Sequence, residues 1–454
     1  MKPPSPADPR PLWRVFLAFL GPMVLANLLQ SLSGTLNNVF VGQMLGTQAL
    51  AAVSGMFPLL FFFISLVIGI GAGASVLIGQ AWGAHEPHKV KKIAGTAIAL
   101  GLVLGVLVAL FGGTFTDALL RALGTPADVL PEAIGYARVM MLAMPGLLVF
   151  ILITQLMRGV GDTVRPLYAL GMSTAVSCVM TPAFIRGWGG LPQLGVTSAA
   201  AASIIAFIAA LLFLAWIMRR TKHPLAPDRE LLHALRIDPA ILKLVVKIGL
   251  PTGVQMIVLS VAEIVLLSLV NGFGSEATAA YGAVNQVVNY VQFPALSIAI
   301  TASILGAQAI GAGRTERLGA IARTGLKLSL IITGTLVVVG YLFSRYLIGA
   351  FVRNEHVLEL AQTLLHIMLW SCIVFGAQAV LGGVMRASGA VMVPTGIAIF
   401  CIALIEVPSA WLLSHRLGLN GVWIAYPITF ISMLLLNTAY YQLVWRKRKI
   451  TRLV

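Results

Sequence analysis

Apolar stretches of about 20 residues recur along the whole 454-residue chain. They lie near 14–38, 51–79, 93–115, 137–157, 167–186, 195–218, 244–271, 278–307, 320–349, 361–384, 393–414 and 420–445. Each is long enough to cross a hydrocarbon core of roughly 30 Å as a helix, so the pattern predicts an all-α membrane protein with twelve transmembrane helices. Polar positions are ordered too. In the eighth helix Tyr281, Asn285, Asn289 and Gln292 recur at steps of four, four and three, which places them on one face. In the first, Asn27, Ser31, Gly34 and Asn38 do the same beside Gln30 and Asn37. Lipid would leave these amides unpaired, so the stripes should face a wet cavity or a neighbouring helix.

The second half of the chain repeats the first at an offset of 228. Gly79-Gln80-Ala81-Trp82-Gly83-Ala84 falls on Ala307-Gln308-Ala309-Ile310-Gly311-Ala312, Met157-Arg158 and Gly161 on Met385-Arg386 and Gly389, and Pro166 on Pro394. Gly46-Thr47 meets Gly274-Ser275. The predicted fold is therefore two homologous six-helix bundles, 14–218 and 244–445. They are flanked by an N-terminal cytoplasmic tail, 1–13, and a basic cytoplasmic tail, 446–454. An even number of helices per repeat gives both the same orientation, with a pseudo-two-fold axis normal to the membrane and a cavity between the halves. Such doubling is the signature of a transporter whose halves rock about a central site.

A polar connector, Arg219 to Lys247, carries Pro224, Pro227 and Pro239 and separates the halves. It is read as a cytoplasmic linker, 219–243, with a short surface helix around Asp228–Leu235. Gly69-Ile70-Gly71-Ala72-Gly73 looks like a nucleotide loop, but it lies inside an apolar helix with no preceding strand. Close helix packing is the better reading. No Walker sequence, HExxH or nucleophile elbow is present, which argues against an ATP-driven pump and against an enzyme.

Composition supports the membrane reading. Hydrophobic residues make up 59% and charged residues 10%, and the mean hydropathy is +0.94. The opening Met1 to Arg10 is Pro-rich and polar, unlike a cleavable leader. The net charge of +16 is unevenly spread: 25 of the 31 Lys and Arg residues fall in the loops on the side of both termini. By the positive-inside rule that side is cytoplasmic, in the inner membrane. The basic excess reflects topology and attraction to anionic lipid, so the bilayer is the expected partner and nucleic acid is not. Cys178, Cys372 and Cys401 all lie in predicted helices without CxxC spacing, and packing is their expected role.

Only two acidic residues fall inside helices: Glu263 in the seventh and Glu406 in the eleventh. Insertion scales put each at about 2.5–3.5 kcal/mol at mid-bilayer, so each calls for an explanation. A buried carboxyl favours its neutral form, and one that alternates between wet and occluded states can couple a proton to a cargo. It can also offer oxygen to Na⁺ or pair with a cationic substrate. Glu263, Glu406, Asn285 and Asn289 are the candidate ion-coupling residues, with Na⁺ possible at Glu263. Gln30, Asn37, Asn38, Phe57, Phe61, Thr181, Gln255, Met256, Tyr281 and Gln292 are the candidate cargo contacts. Met and aromatic surfaces suit bulky amphipathic molecules, although packing alone would explain any single one. Lone His366 is read as a packed or cavity residue.

From about Leu20 to Trp445 the chain resembles the multidrug and toxic compound extrusion (MATE) family, prokaryotic type. The residues that carry the likeness are Val41-Gly42 with Leu45-Gly46, and Gly79-Gln80 with Gly83-Ala84. To these are added Met157-Arg158-Gly159 with Gly161-Asp162-Thr163 and Pro166, and the repeat at Gln308 and Gly311-Ala312-Gly313. The resemblance implies a twelve-helix antiporter, acting as a monomer, that exports cationic or amphipathic compounds against H⁺ or Na⁺. It implies no cofactor besides the coupling ion. In the family a helix-seven Glu is often essential, and Glu263 with Ile264 resembles it. The first half departs from the pattern. Asn37 holds the place of the family's Asp before Val-Gly, and Ser177 and Thr181 hold the places of the helix-five Asn and Asp, ahead of Pro182. Amides and hydroxyls do not titrate as acids there, so coupling is expected in the second half. The 228 offset sets Glu406 opposite Cys178.

Two other readings stay open on the sequence. A lipid-linked precursor flippase would need intramembrane Arg or Lys for phosphate, whereas the intramembrane charges here are acidic. A passive channel is not excluded by the bundle, but no selectivity-filter loop is visible.

Overall fold

The computed structural model describes residues 10–122, 124–125 and 127–454; residues 1–9 of the expected N-terminal tail lie outside them. Eleven helices are long and apolar enough to cross a membrane, and one bent pair makes a twelfth. The first six are α1 (Leu12–Leu45), α2 (Thr47–Gly83), α3 (Pro87–Gly112), α4 (Leu130–Gly159), α5 (Val164–Arg186) and α6 (Gly195–Arg220). The second six are α7 (Pro239–Asn271), α8 (Ser275–Gly311), α9 (Arg317–Leu342), α10 (Glu355–Met368 with Ser371–Ala387, bent by 43°), α11 (Met392–Leu417) and α12 (Leu419–Lys447). All twelve expected spans are found, so the all-α, twelve-helix fold class stands.

The repeat is visible in the backbone. Gly46 and Gly274 cap α2 and α8 with φ 95° and 102° and ψ 179° and 172°. Only glycine visits that region without strain, so matched positions 228 apart make the same corner. The helix neighbourhoods repeat as well. α4 packs on α2, α3 and α6, and α5 on α6; α10 packs on α8, α9 and α12, and α11 on α12. In each set the second helix is the most enclosed: the most apolar window of α2 is 61% buried and that of α8 is 83% buried, against 22% for α7.

The chain forms two compact units. One comprises Leu25–Trp82 and Glu86–Leu250; the other comprises the residues up to Val24, Gly83–His85 and Pro251–Val454. The divisions fall inside α1, just after Pro22, and inside α7, at Pro251. Within a helix a proline removes one backbone hydrogen bond.

Small residues set the helix spacing. A methyl on Gly73 would stand 2.7 Å from the Val245 carbonyl, and one on Gly249 would stand 2.6 Å from that of Gly69. The Gly69–Gly73 stretch is therefore a close-packing face of α2 against the start of α7, as expected. Cys178, Cys372 and Cys401 are free. His366 is exposed rather than packed; its Nε2 lies 3.0 Å from the Ser344 hydroxyl and its ring 5.2 Å from that of Tyr341.

The connector folds down firmly. Its helix is Arg229–Ala234, capped by Asp228, whose side chain accepts from the Leu231 N–H. Lys91 of α3 pairs with Asp228 and, at 2.8 Å, with Glu230. Lys92 meets Asp238 at 2.7 Å, and the Thr96 hydroxyl donates to the Arg236 carbonyl at 3.1 Å. Burial alone would raise the Asp228 carboxyl, but the Lys91 ammonium and the Leu231 N–H outweigh it and hold it low.

Two helices contain a π-helical turn: α3 at Val108–Gly112 and α11 at Ile402–Glu406. Such wider turns are rare and often mark functional positions.

Candidate functional site

Glu263 is the centre of the second-unit site. It sits on α7, half-buried, and meets hydroxyls from two other helices. The Tyr281 hydroxyl, from α8, donates to its Oε2 at 2.6 Å. The Tyr426 hydroxyl, from α12, lies 3.1 Å from Oε2 and 3.3 Å from Oε1. The two phenols are themselves 3.2 Å apart. Both rings are buried, at 5% and 3% exposure, and Trp423 packs against each with ring centroids 5.2 and 5.8 Å away. Phe430 continues this wall 6.4 Å from Tyr426. Aromatic packing fixes the phenols, and fixed phenols aim their O–H groups at one carboxyl.

Glu406 closes the π turn of α11 and is 1% exposed. Its Oε1 is sealed from solvent with no hydrogen-bond partner. The turn packs against α7 through Ala262, the residue before Glu263, which clusters with Cys401 and Ile402. Among the described residues neither carboxyl has an ion-pair partner. The Glu263 carboxyl is thus held by neutral donors and carries no fixed counter-charge among the described residues.

The α8 stripe runs outward from this point. Tyr281 is buried, Asn285 beside it is half-buried, Asn289 is exposed, and Gln292 is half-buried near the Cys372 thiol. Gln255 and Met256 lie half-buried two turns before Glu263 on α7. The structure thus brings Glu263, Glu406, Tyr281 and Asn285 together; for Gln255, Met256 and Asn289 it gives the same unit and no direct contact with the carboxyl.

The first-unit candidates are more dispersed. Gln30 and Asn38 are exposed on α1, and half-buried Asn37 has its Oδ1 buried without a partner. Phe57 and Phe61 pair on α2 at 5.8 Å between ring centroids. Thr181 is fully buried in α5, and its hydroxyl also has no partner. No acid stands among them.

Two features were not legible as sites in the sequence. Tyr426 is one; its only signal is a hydroxyl next to Pro427 in an apolar helix. The other is a buried cluster at the turn from α4 to α5, where Asp162 pairs with Arg165 and lies 3.3 Å from His223 Nε2. Gly161 turns the chain there with φ 92°, and Asp162 accepts from the Val164 and Arg165 N–H groups at 3.1 and 3.2 Å, opening α5. Burial alone would raise the Asp162 carboxyl, but His223 beside it and the hydrogen bonds and charge of Arg165 bring it down to about 2. At the matching turn of the second unit Gly389 has φ 78° and no acid follows; the side chain of Leu453, from the C-terminal tail, fills the space beside it instead. Among the described residues no three His, Cys, Asp or Glu side chains converge as metal ligands.

Comparison with known proteins bears on what this arrangement serves. The family model described as MatE matches twice, over residues 22–183 and 251–412. The chain is 43% identical to the probable multidrug resistance protein YoeA of Bacillus subtilis, over 98% of this chain and 96% of that one. It is 24% identical to the multidrug export protein MepA of Staphylococcus aureus, over 91% and 89%. Among solved structures, an aspartate-to-asparagine mutant of the Vibrio cholerae MATE transporter VcmN superposes with a TM-score of 0.89 at 21% identity, covering 97% of this chain and 98% of that one.

Proposed function

The chain belongs to the MatE family of multi-pass membrane transporters, and from that premise we propose that it is a secondary active antiporter of the inner membrane. It exports cationic or amphipathic organic compounds in exchange for H⁺ or Na⁺ by alternating access. Both termini and the 219–243 linker are cytoplasmic, the bundles are 14–218 and 244–445, and the working unit is a monomer. The names of YoeA and MepA, a multidrug resistance and a multidrug export protein, support the cargo class.

The observation that carries this reading is Glu263: a membrane carboxyl held by Tyr281 and Tyr426 with no ion-pair partner among the described residues. Such a group binds either the coupling ion or a cationic cargo, and exclusive occupancy of one site by either is the simplest form of exchange. Asn285, Asn289 and Glu406 assist the ion, and Gln255, Met256, Tyr281 and Gln292 contact cargo. In the first bundle Gln30, Asn37, Asn38, Phe57, Phe61 and Thr181 supply amide, hydroxyl and ring contacts without an acid. Coupling therefore resides in the second bundle.

The test is ethidium transport in proteoliposomes under separately imposed pH and Na⁺ gradients. Wild type should concentrate the dye under at least one gradient, and Glu263→Gln should lose that response. Indifference of the wild type to both gradients would refute antiport.

A further inference from the structure

Glu406 differs from Glu263 in its enclosure and in its hydrogen-bond partners. It is enclosed to 1% exposure, and its Oε1 has no hydrogen-bond partner. The α11 turn that carries it packs into an apolar cluster of Ala262, Ala398, Cys401, Ile402 and Met433, with Val258 and Ile405 at its edge. The titratable groups facing it are few. Among the described residues they are Glu263 from α7, Tyr426 from α12 and Cys401 from its own helix, and none is basic.

A hard metal cation needs a cage of several oxygens to replace its water. Around Glu263 the candidates are its own oxygens and two phenols whose hydrogens already point at the carboxyl. Around Glu406 the packed neighbours Ala262, Ala398, Cys401, Ile402 and Met433 offer no side-chain oxygen. A proton needs only one oxygen. The π turn matters here because the wider winding re-aims the side chain at its end.

Resting on the antiporter reading, we propose that Glu406 is a second, separate proton-binding site of the C-terminal bundle and that the coupling ion of this chain is H⁺. The step is a simple one. An O–H bond forms on the Glu406 carboxylate as one O–H bond of a hydronium ion breaks and leaves water, in a state of the cycle that opens the pocket sealed here. The new bond breaks, with water taking the proton, when the pocket opens to the other side. No bond in the cargo changes.

Two measurements test it. Infrared spectra of the full-length protein in nanodiscs at neutral pH should show the C=O band of a protonated, buried carboxylic acid. The band should vanish in Glu406→Gln, and it should persist in Glu406→Asp and in Glu263→Gln. An unchanged band in Glu406→Gln overturns the assignment without reference to transport. In proteoliposomes, ethidium accumulation should follow a pH gradient alone, with Glu406→Gln reducing the response at least tenfold and Glu406→Asp restoring part of it. A Na⁺ gradient driving accumulation with no pH gradient overturns the choice of ion. Failure of both gradients instead strikes down the antiporter reading, while the infrared result still decides whether Glu406 holds a proton.

Discussion

The Tyr426 hydroxyl, on the last transmembrane helix, lies 3.1 Å from Oε2 of Glu263, 163 residues earlier on the seventh. One hydrogen bond thus ties α12 to α7, and with Tyr281 it ties α8 to both. Any change in the charge or occupancy of Glu263 is felt at once by three helices.

Removing one phenol should therefore weaken the exchange without unfolding the bundle. Tyr426→Phe keeps the ring and its contact with Trp423 and loses the donor. About 1–2 kcal/mol is expected from one such bond to a carboxyl, which corresponds to a five- to thirtyfold loss in ethidium transport efficiency. Tyr281→Phe should cost at least as much, since its bond is the shorter. The double mutant should fall short of the sum, because the two hydroxyls also bond each other. Strict additivity in liposome transport assays would show that they act independently.

Asp162 should matter for stability rather than for transport. Its folded-state carboxyl lies at about 2, below the roughly 3.9 of an unfolded aspartate. A lowered value stabilises the fold above the unfolded pKa, and that contribution fades as pH falls from about 4 towards 2. Asp162→Asn should lose about 2 kcal/mol at pH 7 and almost nothing near pH 2. Thermal unfolding in detergent measures this, and identical midpoints at pH 7 would contradict it.

Gly249 and Gly282 offer a contrast within one experiment. A methyl on Gly249 meets the Gly69 carbonyl at 2.6 Å, whereas one on Gly282 meets nothing within 4 Å. Gly249→Ala should destabilise by about 1–3 kcal/mol through overpacking. Gly282→Ala, in mid-helix, should be neutral or stabilising by up to about 1 kcal/mol. Yield of folded protein after heating separates the two.

The connector should be held by its cap more than by its charges. Asp228→Ala removes the side-chain bond to the Leu231 N–H and one partner of Lys91, a loss of about 1 kcal/mol. Lys92→Ala breaks a solvent-screened pair with Asp238 and should leave stability near wild type. Limited proteolysis between Arg219 and Asp238 should accelerate in Asp228→Ala and stay near wild type in Lys92→Ala.

The twelve spans were legible because each is a run long enough to cross lipid, and the repeat was legible because its glycines make matched corners. Glu263 and Glu406 stood out because charge is rare in such runs. Tyr426 did not: it is one of three tyrosines in α12, and its role exists only once α12 lies beside α7. The Asp162 turn was visible as Gly161-Asp162-Thr163, but its pairing with His223 depends on a chain reversal 61 residues on, which no local pattern records. The π turn before Glu406 was invisible for a different reason. Its i→i+5 winding is a backbone property with no residue signature.

That turn bears on how such an acid could arise. A π-helical turn holds one residue more than the α-helical turn it replaces, so Ile402–Glu406 is equivalent to a one-codon insertion in helix eleven. Deleting Leu404 would restore regular winding within the turn itself, leaving both flanks in register and changing which residues of the turn share a face with Glu406. A reading-frame-preserving lesion, rather than a missense change at the acid, is therefore enough to alter the lining of the Glu406 pocket.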